Sequence, residues 1–218
     1  MPSLKLVIAN KAYSSWSLRP WILLTHFGVP FDEVVVPLDQ PDTRERLLEY
    51  SPTARAPVLI DGDTTVWDSL AIIEYLAELR PGLPVWPSES PARALARSLS
   101  AEMHSGFQAL RQHCPTQFLR PVAKRALTPE VEANVARLED AWRDARRRFG
   151  AGGSFLFGAF SAADAMFAPV VNRLHVYDIS VANDTRDYLN AVMALPAWSA
   201  WISGAEAEPW RNAEYDAI

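Results

Sequence analysis

Between Thr53 and Glu78 the chain reads TARAPVLIDGDTTVWDSLAIIEYLAE, and this stretch allows few folds. Asp61-Gly62 between β-branched runs is a strong hairpin signal, so Val58 to Ile60 and Thr64 to Trp67 are expected as paired strands. A helix follows at once. Asp68 and Ser69 stand where its N-cap belongs, and Leu70, Ile73, Leu76 and Ala77 recur along one helical face. Pro57 cannot donate to a strand ladder and is confined to an edge, a first position or a bulge. The Ala56-Pro57 bond is a candidate for cis. A cis bond there would turn the backbone of Val58 outward, leaving its N–H and C=O for an extended ligand.

Together these parts describe a receptor for the end of a peptide. The unpaired N–H groups of the helix start, with the Ser69 hydroxyl, suit a carboxylate. Asp68 suits an ammonium. The plainer alternative is that Asp68 and Ser69 only cap a helix and Pro57 only opens a strand.

The flanking chain supplies the rest of a sheet. Leu4 to Ala9 is an apolar run with strand character, Asn10 to Ser15 is a polar loop, and Phe31 to Val36 is a further strand. The helix between them is expected to be capped by Ser15 or Ser17, with Pro20 in its first turn and Gly28 just past its end. A βαβ unit followed by a hairpin and a helix gives a four-stranded mixed sheet with helices on its faces, a thioredoxin-like topology, with a short helix over Arg44 to Tyr50. The Arg80 to Pro87 segment packs three prolines and a glycine into eight residues, so the first domain is placed at 1–79 and a linker at 80–91. From residue 92 to 218 strand signals vanish and an all-helical domain is expected, with helices over 92–113, 129–149, 162–176, 184–194 and 197–204. Ser161 and Asp164 form a cap-and-acid pair before an apolar run that belongs in the core. The tail from Glu206 carries no pattern.

Composition narrows the class. A net charge of -5 argues against a nucleic-acid partner, and the arginine-rich run Arg143 to Arg148 sits among acids as a solvated helix face. No apolar run approaches the roughly 18 residues of a membrane span, and no signal-peptide pattern opens the chain. Cys114 stands alone, so no internal disulfide forms and a reducing compartment, the cytoplasm, is expected. The four histidines show no metal-ligand spacing and no metal is expected. No Gly-x-Ser-x-Gly elbow is present.

The Ala-Pro-Val-Leu, Asp-Gly and Asp-Ser-Leu-Ala-Ile-Ile-Glu-Tyr-Leu sequences resemble the glutathione-binding part of the cytosolic glutathione transferases. The resemblance runs from residue 4 to about residue 203 and also takes in the Ser161 to Asp164 box. It implies that Pro57 and Val58 pair with the cysteinyl backbone of glutathione and that Asp68 and Ser69 hold its γ-glutamyl end. It also implies a homodimer. Arg55, a long cation beside Pro57, is a candidate for the glutathione carboxylates.

Ser14-Ser15-Trp16-Ser17, followed by Arg19, resembles the zeta class most. This implies Ser14 as the hydroxyl that stabilises the glutathione thiolate, with Ser15 as the fallback. Lowering a thiol pKa by about two units takes roughly 2.7 kcal/mol. One hydrogen bond to a charged group, about 1.5 to 3 kcal/mol, plus a helix-terminus contribution of about 0.3 to 1, suffices. Trp16, Tyr13, Arg55 and Asp68 depart from the zeta pattern, and the first two argue against a maleyl diacid substrate. Trp16, Met103, His104 and Phe107 are candidates for the electrophile pocket, although such a stripe is more often core. The leading expectation is a transferase that conjugates glutathione to small hydrophobic electrophiles. A zeta-type cis-trans isomerase and a non-catalytic binding protein for glutathione or an apolar ligand are the alternatives.

Overall fold

In the computed structural model, which describes residues 4–217, the most buried strand is β1 (Leu4–Ile8) at the centre of the sheet. It pairs in parallel with β2 (Phe31–Val35) and antiparallel with β3 (Val58–Asp61), which pairs with β4 (Thr64–Val66) across a turn where Gly62 takes φ 56°. The order is β2-β1-β3-β4. The parallel pair needs a crossover, which α1 (Ser15–His26) provides. Leu6, Ile8 and Leu59 face the main core with α1 and α3 (Ser69–Leu79), while Val7 and Val58 pack with Val36 and with Leu47 of α2 (Thr43–Leu48). This is the expected thioredoxin-like domain, and an all-helical domain follows it.

Two local expectations for α1 are corrected. Ser14, not Ser15 or Ser17, is the N-cap, and its Oγ accepts from the Ser17 N–H at 3.3 Å. Pro20 therefore falls beyond the first turn, where its missing N–H leaves one helical acceptor without its usual donor.

The helical domain comprises α4 (Ser90–Ser105), α5 (Gln108–His113), α6 (Pro129–Phe149), α7 (Ala162–Val176), α8 (Asn183–Met193), α9 (Pro196–Ala207) and the short α10 (Ala213–Asp216). The helix expected over 92–113 is two helices, because Phe107 adopts the left-handed region at φ 59° after Gly106. The arginine run on α6 forms exposed ion pairs with Asp140, Asp144 and Asp184, as a solvated face should. Every residue of α7 except His175 is buried, and the helix packs on both α1 and α4. Its Asp164 accepts from the Leu156 N–H, the Ser161 N–H and the Ser161 hydroxyl at 2.8 to 3.1 Å.

The patternless tail has a structural task. The Glu208 carboxylate accepts from the backbone N–H groups of Lys11 and Ala12, and Trp201 Nε1 donates to the Lys11 carbonyl at 3.1 Å. The Tyr13 hydroxyl donates to Asp216. The loop that leads into α1 is thus fixed from the helical domain. Burial pushes the Glu208 carboxyl up, against the two N–H groups that favour its charge.

Candidate functional site

A cleft of about 580 Å³ lies between the start of α1, the Thr53–Pro57 segment, the start of α3 and the end of α4. Pro57 lines it at a cis Ala56-Pro57 bond, as anticipated, and the Trp67-Asp68 bond opposite is also cis. Asp68 is the N-cap of α3. Its Oδ1 accepts from the N–H groups of Leu70 at 3.0 Å and Ala71 at 3.5 Å, and its Oδ2 lies 3.0 Å from His104 Nε2. Beside it the Ser69 hydroxyl lines the cleft, buried and without a hydrogen-bond partner. A buried hydroxyl left unmatched is rare in a folded protein, and a ligand oxygen is its natural complement. Arg55 lines the same cleft, exposed, with no ion pair to any described residue. One wall therefore offers a carboxylate, a hydroxyl, the positive end of a helix and an exposed cation, a set that suits a zwitterion with a further carboxylate.

Val58 sits in register with Val7 of β1, fully buried, and does not line the cleft. Ala56 lines it instead, because the chain joins the sheet only after the proline.

The two serines differ in what they have left to offer. The Ser14 hydroxyl donates to Ser17 Oγ at 2.8 Å besides capping the helix, and Ser17 Oγ in turn accepts from the Ala9 N–H. The Ser15 hydroxyl, at the first position of α1, makes no hydrogen bond to a described residue and is not closed off from solvent. Neither serine lines the cleft directly; Trp16 forms that wall.

Of the stripe proposed for the electrophile, His104 lines the cleft, whereas Met103 is fully buried and Phe107 is 9 % exposed in the main core. The spacing marks one face of α4, and most of that face is taken by packing on α7. The Trp16 indole stands edge-on to His104 with 5.2 Å between ring centroids. It also lies against two guanidinium groups, Arg19 at 4.2 Å and Arg111 at 4.9 Å from its centroid. Arg111 is satisfied by the carbonyls of Met103, His104 and Gly106 that end α4. Arg19 is fully buried. Burial pushes its guanidinium down, and Arg111 and Arg173 add to that, while Asp68 acts in the opposite sense.

A sequence model of the glutathione S-transferase N-terminal domain matches residues 13–79, and a model of the C-terminal domain matches residues 123–203. The chain belongs to the glutathione S-transferase family. A probable maleylacetoacetate isomerase of Caenorhabditis elegans is 34% identical over 110 residues, which cover 50% of this chain and 51% of that protein. The chain thus spans about half the length of this curated relative. A stringent starvation protein A homolog of Haemophilus ducreyi is 27% identical over 84% of this chain and 83% of its own length. A Burkholderia glutathione transferase homolog, solved with bound glutathione, superposes with a TM-score of 0.72 at 24% identity, covering 94% of this chain and all of its own.

In this member of the glutathione S-transferase family, the cleft residues that sequence reasoning missed are Thr53, Ala56 and Trp67. Trp67 is 42 % exposed at the end of a strand, and a tryptophan immediately before a capping Asp-Ser was the available signal. The burial of Arg19 had none, since an arginine in a helix reads by default as surface.

Proposed function

We propose that this glutathione S-transferase binds glutathione in the cleft and presents its sulfur to a small electrophile at the Ser15 hydroxyl. The observation that carries the reading is the unpartnered, buried Ser69 hydroxyl beside the Asp68 carboxylate at the open start of α3. On this reading Asp68 takes the γ-glutamyl ammonium and Ser69, at the positive end of α3, its carboxylate. The Ala56-Pro57 segment lies along the cysteinyl backbone, and Arg55 reaches the remaining carboxylate. The Ser15 O–H donates to the ionised sulfur, which forms a bond to the electrophilic carbon as the leaving group departs. Trp16 and His104 form the face against which a flat electrophile packs. Two such chains form the homodimer of the same reading, and a sedimentation mass of one chain would refute it.

Asp68→Asn separates ligand binding from capping. Asparagine caps as well as aspartate, so α3 keeps its start. Loss of the charged hydrogen bond is expected to weaken glutathione by about 1.5 to 3 kcal/mol, roughly 10- to 150-fold in Kd, with an unchanged melting temperature. Calorimetric titration reads it. An equal Kd in the variant removes Asp68 from the ligand.

A second reading, a binding protein without chemistry, draws on the placement of both serines behind the Trp16 wall. Saturable glutathione binding with no conjugate and no isomerised product across an electrophile panel selects it. Turnover of a maleyl compound with no glutathione consumed selects the isomerase.

A further inference from the structure

Both oxygens of the Asp68 carboxylate, on which the reading above seats the glutathione ammonium, are engaged by the protein itself. Oδ1 caps α3 by accepting from the Leu70 and Ala71 N–H groups. Oδ2, the oxygen left for a ligand, lies 3.0 Å from His104 Nε2 of α4. A ring nitrogen that faces a carboxylate at this distance donates its proton to the bond. An ammonium that arrives at Oδ2 therefore meets a donor from the helical domain already in place.

Little else holds that imidazole. Its Nδ1 is buried without a hydrogen-bond partner, and the Trp16 indole meets it edge-on. The backbone beneath it is fixed separately, because Arg111 donates to the His104 carbonyl at 3.4 Å and to the carbonyls of Met103 and Gly106. The side chain can thus turn while the end of α4 stays in place. A hydrogen bond from a charged ammonium to a carboxylate is stronger than one from a neutral ring, so the ammonium wins Oδ2. The displaced ring then carries an N–H without an acceptor in the wall of the cleft, which His104 lines beside Trp16. The complement of such a group is an oxygen on whatever packs against that wall.

We propose that His104 exchanges partners: it holds Asp68 Oδ2 until the ammonium of glutathione takes that oxygen, and its released N–H then donates to an acceptor oxygen on the electrophile. The inference rests on the transferase reading and narrows its substrate class to flat electrophiles that carry a nitro, carbonyl or carboxylate oxygen. It also couples the two halves of the cleft, since each ligand favours the arrangement the other needs.

The test combines calorimetric titration of glutathione with steady-state conjugation in the wild type, His104→Phe and His104→Gln. His104→Phe keeps a ring against Trp16 and removes both nitrogens. Kd for glutathione is expected to fall about two- to fivefold, the worth of a half-exposed pair that no longer competes for Asp68. At saturating glutathione, kcat/KM is expected to fall about 3- to 12-fold for a chlorodinitrobenzene, whose nitro oxygens accept a hydrogen bond, and to stay within about twofold for benzyl chloride, which has none. His104→Gln, which offers an N–H to either partner, is expected to stay close to the wild type in both measurements. Should His104→Phe not fold, His104→Ala is read by the same criteria. A merely loosened site would weaken glutathione and both electrophiles together. Equal or weaker glutathione binding in His104→Phe, or the same loss for both electrophiles, overturns the inference and leaves the transferase reading standing. Glutathione bound by the wild type with no conjugate of either electrophile overturns the transferase reading and the inference with it.

Discussion

Ser15→Ala is expected to lower conjugation turnover by about 10- to 150-fold, the worth of one hydrogen bond to a charged acceptor, while Kd for glutathione changes by less than about threefold. The expectation follows from how the two adjacent serines are used. Ser14 both donates to Ser17 Oγ and accepts from the Ser17 N–H, so its hydroxyl is committed to the start of α1. Ser14→Ala should therefore cost about 1 kcal/mol of stability and little turnover per folded molecule. Single-turnover kinetics with an aryl halide, beside a urea titration of each variant, separates the two effects. A steep loss in Ser14→Ala with Ser15→Ala near wild type would exchange the roles.

Asp164→Ala is expected to destabilise the protein by about 3 to 5 kcal/mol, because three buried donors lose their acceptor at once. Those donors are the Leu156 and Ser161 N–H groups and the Ser161 hydroxyl, all at the start of the buried α7. Since α7 packs on α1, the loss reaches the helix that carries Ser15 and Arg19. Burial also pushes the Asp164 carboxyl up to about 6 from 3.8, against the hydrogen bonds that favour its charge. The folded protein then holds this proton more tightly than the unfolded chain, and ∂ΔG/∂pH is negative in between. The stability contributed by the protonated form is fully present below about pH 4 and lost as pH rises through about 6, roughly 3 kcal/mol in all. Paired urea unfolding of the wild type and Asp164→Asn should show their difference changing across that window. A constant difference from pH 4 to pH 7 would contradict it.

The sheet, the hairpin, the cis Ala56-Pro57 bond, the cap of α3 and the buried α7 were all readable, since each is written in local chemistry: Asp-Gly, Pro57, Asp68-Ser69 and Ser161 with Asp164. The features that escaped depend on tertiary placement. Which of Ser14, Ser15 and Ser17 caps α1 is settled by the Ala9 N–H that occupies Ser17 and by the contacts of Glu208 and Trp201 with the loop before the helix. Met103 and Phe107 share one helical face with other apolar residues, and periodicity cannot say whether a neighbouring helix or a ligand covers that face. Val58 was expected to be turned outward by a cis Ala56-Pro57 bond, and that its side chain is buried in register with Val7 depends on the packing of the sheet. The split at Phe107 needed a left-handed non-glycine residue, which sequence does not announce.

The most direct test of the central claim, that the cleft holds glutathione with its sulfur ionised, is the ultraviolet difference spectrum of glutathione titrated into the wild-type protein over a range of pH. The account predicts thiolate absorbance that saturates with ligand at neutral pH, below the ordinary range of a free thiol near about 8.5. It also predicts that Ser15→Ala moves the midpoint upward. Saturable binding with the sulfur protonated until that ordinary range, in both proteins alike, would contradict the claim and leave a receptor for glutathione in place of an enzyme that activates it.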